Sequence, residues 1–106
     1  MIRNGRPYSI ENGYEDAGLI TDKPVEEQQQ VMAWIRRNIP PRKTENQRHT
    51  SYGIKHILQH DTGIYLTNNE FKDAMMLAGY QPVDENALNW TYGISEKSVA
   101  FQRRNR

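Results

Sequence analysis

The chain contains no cysteine, which rules out a disulfide framework, a thiolate metal site and a thiol nucleophile. It has no apolar run approaching the roughly 18 residues that a membrane-crossing helix requires. Its opening, Met1-Ile2-Arg3-Asn4-Gly5, lacks the apolar segment of a secretory signal, so a cytoplasmic protein without membrane contact is expected. The glycine-rich phosphate loops of nucleotide-binding enzymes are also missing, as is a glycine-rich elbow around any serine. Carboxylates are dispersed along the chain rather than paired in one motif. A non-enzymatic protein with no cofactor is therefore expected.

What the chain does have is segregated charge. The formal net charge is only +1, yet residues 11–27 set Glu11, Glu15, Asp16, Asp22, Glu26 and Glu27 against Lys23 alone. Residues 36–48 reverse the sign, with Arg36, Arg37, Arg42, Lys43 and Arg48 against Glu45. Residues 60–90 turn acidic again through Asp61, Glu70, Asp73, Asp84 and Glu85, opposed by Lys72, and the end is basic with Lys97, Arg103, Arg104 and Arg106. Such a chain can present two faces of opposite sign. Solvated loops and a frayed tail would produce the same pattern.

At 106 residues and 36% hydrophobic content, one small domain with a thin core is expected. Residues 1–21 read as an arm, loosely ordered or docked through its aromatics. Residues 22–101 read as a helical domain with a C-terminal strand or hairpin, and residues 102–106 as a basic tail. Pro24 suits a first helical turn, and Val25, Met32, Ile35 and Ile39 follow on one stripe that Val31 and Trp34 widen. Glu26 and Glu27 open this helix, Arg36 and Arg37 close it as the helix dipole favours, and Pro40-Pro41 stops it. A second helix begins at Thr50 or Ser51 and runs to about His60. Thr67-x-x-Glu70 is a capping box, followed by Phe71, Ala74, Met75 and Ala78 at helical spacing and by Gly79 at the C′ position. Beyond Pro82 the period changes: Leu88, Trp90, Tyr92 and Ile94 alternate as in a half-buried strand. Its partner is expected in Ile64-Tyr65-Leu66 or Val99-Ala100-Phe101. The expected core is Met32, Ile35, Tyr52, Ile54, Ile57, Leu58, Phe71, Met75, Ala78 and Trp90.

Three helices and a strand resemble a winged helix-turn-helix in outline. The 61–66 connector is longer than that motif's usual turn, and Glu70 and Asp73 would bring the wrong sign to phosphates. The basic segment is the better candidate. Arg36, Arg37, Arg42, Lys43, Arg48 and Lys55 surround Asn46, Gln47, His49, Thr50 and Ser51, which can donate to phosphate oxygens, and the second helix would add free backbone amides. His56 and His60 share one helix face at a spacing that can chelate a metal, but surface histidines are the commoner reading, and no metal is expected.

The runs Pro41-Arg42-Lys43-Thr44, His49-Thr50-Ser51-Tyr52-Gly53-Ile54-Lys55-His56 and Thr67-Asn68-x-Glu70-Phe71-Lys72-x-Ala74-Met75 to Ala78-Gly79-Tyr80 resemble a group of small proteins encoded by phages and mobile elements of Gram-positive bacteria. The resemblance covers about residues 34–94. That group has no established activity, so no catalytic residue carries over. The implied role is accessory, in an element that manipulates host nucleic acid or host defences. Small phage proteins with segregated charge include inhibitors of CRISPR nucleases, a likeness of context and not of motif.

The expectation is therefore an α+β domain with a compact three-helix core and a C-terminal strand or hairpin. It would contact DNA or RNA through Arg36, Arg37, Arg42, Lys43, Arg48 and Lys55. The alternative is a protein-binding inhibitor of a host defence complex, presenting Asp61, Glu70, Asp73, Asp84 and Glu85 as a phosphate-like decoy.

Overall fold

The computed structural model describes residues 16–97 and Phe101, and the backbone alone at residues 2–3, 6–7, 9–11 and 14–15. The chain opens with two short antiparallel pairs: β1 (Ile2–Arg3) with β2 (Arg6–Pro7), and β3 (Ser9–Glu11) with β4 (Tyr14–Asp16). A 3-10 turn over Ile20–Asp22 follows, closed by the Leu19 amide donating to the Asp22 carboxylate at 3.0 Å.

Helix α1 (Val25–Asn38) has its two glutamates in the first turn and two arginines in the last, and buries Val31, Trp34 and Ile35. Strand β5 (Pro41–Asn46) leaves it. Helix α2 (Ser51–Thr62) is capped by Thr50, whose hydroxyl accepts from the Gly53 amide, and ends at Gly63 with φ +76°. Helix α3 (Asn68–Leu77) begins with the expected capping box: the Glu70 amide donates to Thr67 Oγ1 at 3.2 Å, and the Thr67 amide to Glu70 Oε1 at 2.8 Å. Gly79 closes it at φ +98°, a backbone state that costs glycine little.

Strand β6 (Tyr92–Ile94) lies antiparallel to β5, with Pro41 facing Ile94 and Asn46 facing Tyr92. The order helix, strand, helix, helix, strand keeps the α+β class and the winged-helix outline. The partner strand differs from expectation: it is residues 41–46, read in the sequence as a loop, and not residues 64–66. Pro41 and the run of charges masked it. Of the other expected partner, Val99 and Ala100 lie outside the described residues, as does the tail 102–106. The strand is also shorter than 88–94, because the Leu88 carbonyl is drawn onto the Asn68 side-chain amide at 3.1 Å.

The three helices and β6 enclose one apolar cluster containing Ile35, Ile54, Ile57, Leu58, Phe71, Met75 and Trp90 as expected, joined by Ile20, Val31, Trp34, Ile39, Leu66, Tyr92, Ile94 and Phe101. Met32 and Ala78 are half-buried at its margin. Tyr52 is a correction: it is 43% exposed. The buried stripe of α2 runs Ser51, Ile54, Lys55, Leu58, spacings of three and four residues that leave Tyr52 one step off the inner face.

Candidate nucleic-acid interface

Five steps along β5 face two along β6, so residues 42–44 bulge out of the pairing and are exposed. The bulge folds over Gly93, where a Cβ would lie 2.3 Å from the Arg42 carbonyl oxygen. No other residue fits beneath it. The Arg42 side chain ties the bulge, donating through Nε to the Thr44 carbonyl and through Nη2 to the Glu45 carbonyl, both at 3.0 Å. A guanidinium carries five N–H donors, so further donors are left for a ligand.

Arg36, Arg37, Arg42, Lys43 and Arg48, which we term the basic ridge, fall within one stretch of chain and are all exposed. Arg36 and Arg37 are exposed at the end of α1, Lys43 at the bulge, and Arg48 just beyond β5. None of these five cations makes an ion pair with a carboxylate among the described residues. Glu45, the acid of this segment, is occupied by the Thr91 hydroxyl at 2.6 Å and the Gln47 amide at 3.4 Å. A shallow cleft of about 370 Å³ separates the bulge from the 79–83 turn, which the Tyr80 hydroxyl anchors by donating to the Ile39 carbonyl.

At the far end of the ridge, His49 Nε2 lies 3.0 Å from Glu96 Oε2, and the Phe101 ring stacks on the imidazole at 3.7 Å. The hydrogen bond from His49, with help from the Asn46 amide and the Arg48 charge, holds the Glu96 carboxyl below the usual range against some desolvation. Glu96 is thereby fixed beside the ridge.

Lys55 does not belong with the other five. It is 4% exposed, and its ammonium lies over the rings of Tyr52 and Tyr65. The α2 amides are a second correction. The Ser51 amide donates to the Trp90 carbonyl at 2.7 Å and the Gly53 amide to Thr50 Oγ1 at 3.4 Å, so the helix start is largely satisfied by the protein itself.

The acidic set is dispersed. Glu70 closes the capping box, lies 3.8 Å from Lys23 Nζ and is 8% exposed. Asp73 is 2% exposed and accepts from the Ile20 amide at 3.0 Å. Asp61 accepts from the Trp34 indole at 2.9 Å. Only Asp84 and Glu85 stand together on an exposed turn. These five do not form one acidic surface, because α3 is interior: every residue from Asn68 to Met75 is buried. The Asn69 amide donates to Asp16 Oδ2 at 2.9 Å and its side chain to the Gly18 carbonyl at 2.7 Å, while Asn68 donates to Asn89 Oδ1 at 3.0 Å. Covered in this way, α3 cannot enter a groove of DNA. His60 is exposed and lies 3.6 Å from Asp61, and His56 packs edge-on to Tyr52. Among the described residues no group of three or more metal-ligating side chains occurs, and no helix is long and apolar enough to cross a membrane.

Two features escaped the sequence reading. Gly93 gave no local signal for the bulge above it. Tyr65 did: it stands between Ile64 and Leu66, and alternation puts it on the opposite side, where it is 56% exposed.

No protein-family profile matches the chain, and no curated protein or solved structure matches it either.

Proposed function

We propose that the chain is a non-enzymatic accessory protein of a phage or mobile element, acting in the cytoplasm, that contacts nucleic acid through Arg36, Arg37, Arg42, Lys43 and Arg48. The supporting observation is the bulged β5. It carries Arg42 and Lys43, which form no ion pair among the described residues, on a glycine-supported, guanidinium-tied loop, with the neighbouring carboxylate already occupied. Such cations attract a phosphate backbone and hold its register without reading sequence. The phage setting rests on the motif resemblance alone. The rival reading, an inhibitor of a host defence complex using an acidic decoy, has less support, since Glu70 and Asp73 are buried.

The test is fluorescence anisotropy of labelled single- and double-stranded DNA and RNA. The double variant Arg42→Glu/Lys43→Glu abolishes association while its thermal midpoint stays near that of the parent, because exposed substitutions usually change stability within about 0.5 kcal/mol. Absence of any binding by the parent protein at low salt would retire this reading.

A further inference from the structure

We propose that Tyr52 and Tyr65 form a stacking platform for the bases of a single-stranded nucleic acid on the outer side of α2. This rests on the nucleic-acid reading above and names the kind of strand the protein takes. Aromatic rings usually carry the burial of a core, yet these two are 43% and 56% exposed. They come from different elements, Tyr52 from the first turn of α2 and Tyr65 from the connector that follows it. One cation joins them: Lys55 Nζ lies 4.9 Å from the centre of the Tyr52 ring and 5.2 Å from that of Tyr65. The two ring centres are therefore no more than about 10 Å apart, with one face of each ring against the same ammonium. Rings held in advance lose less freedom when a ligand stacks on them.

The surroundings favour a polyanion. No acidic residue occurs in α2 before Asp61. The His56 ring packs against Tyr52 at 4.6 Å with the two planes 76° apart and braces it, and Arg48 precedes the helix. Unpaired bases stack on tyrosine with little regard to sequence. A duplex keeps its base faces inside its own stack and offers these rings nothing.

The experiment uses the full chain and a short fluorescein-labelled homopolymer, as single-stranded DNA, as RNA, and as a duplex. Tyr52→Ala and Tyr65→Ala each weaken single-strand binding about tenfold, leave duplex binding unchanged, and leave the slope of affinity against salt unchanged. Tyr52→Phe and Tyr65→Phe keep the ring and keep the affinity. Leucine replacements, which retain apolar bulk, stand in if an alanine variant fails to melt cooperatively. Comparison of the DNA and RNA arms identifies the strand. Unchanged single-strand binding in the ring variants, with Arg42→Glu/Lys43→Glu still abolishing it, overturns the platform and spares the ridge. Failure of the parent protein to bind any strand overturns both.

Discussion

Glu70, Lys72 and Asp73 stand within four residues at the start of α3, and Arg42, Lys43 and Glu45 stand within four residues on β5. The first three are 8%, 2% and 2% exposed. Glu70 caps its own helix, Asp73 receives the Ile20 amide, and the Lys72 ammonium lies 4.8 Å from the centre of the Trp90 ring. On β5 the carboxylate is occupied by a hydroxyl and Arg42 is tied to two backbone carbonyls, yet Arg42 and Lys43 remain exposed on a bulge. Equal charge density in the sequence thus serves two ends. A buried ion must find partners or it destabilises the fold, whereas an exposed one costs little and stays available to a ligand.

The sharpest way to break this comparison is at Asp73. Asp73→Ala leaves the Ile20 amide without its buried acceptor and should cost about 3 kcal/mol, read as a lower urea midpoint; an unchanged midpoint would mean that Asp73 does not hold residues 16–20 onto α3. Next is Gly93→Ala. Its Cβ has no room beneath the Arg42 carbonyl, so the bulge must shift at a cost of about 1–3 kcal/mol, and nucleic-acid affinity should fall with stability. Loss of stability with full affinity would separate the bulge from the interface.

The smallest effect concerns Glu96. Its carboxyl titrates below the usual value because of His49. The sign follows: the stabilisation is present above the unfolded-state pKa and is lost as pH falls through the lower folded-state value. Glu96→Gln should flatten the acid limb of a melting-temperature profile slightly, the group being near the surface, and leave the neutral region unchanged.

Much of the helical frame was legible because its signals are local. Pro24, the Thr67/Glu70 box and Gly79 act within a turn of where they stand, and all three mark helix ends in the structure. The pairing of β5 with β6 was not legible. It joins residues about fifty positions apart, and the feature that permits it is the missing side chain of Gly93. The fate of the charges was hidden for a related reason. Asp73 and Glu70 look like solvent-facing acids until residues 16–20 are laid over α3. Tyr52 was misassigned by one position, since Ser51 takes the inner place in order to bond Asn68 Oδ1 at 2.9 Å.

The most direct measurement is the salt dependence of affinity for labelled single-stranded DNA or RNA between about 50 and 200 mM salt. If the five ridge cations each displace a counterion, log affinity should fall linearly with log salt with a slope of about −3.5, and the slope of Arg42→Ala/Lys43→Ala should be shallower by about 1.4. A slope near zero, or the same slope in the variant, would contradict the assignment of the β5 bulge as the phosphate contact.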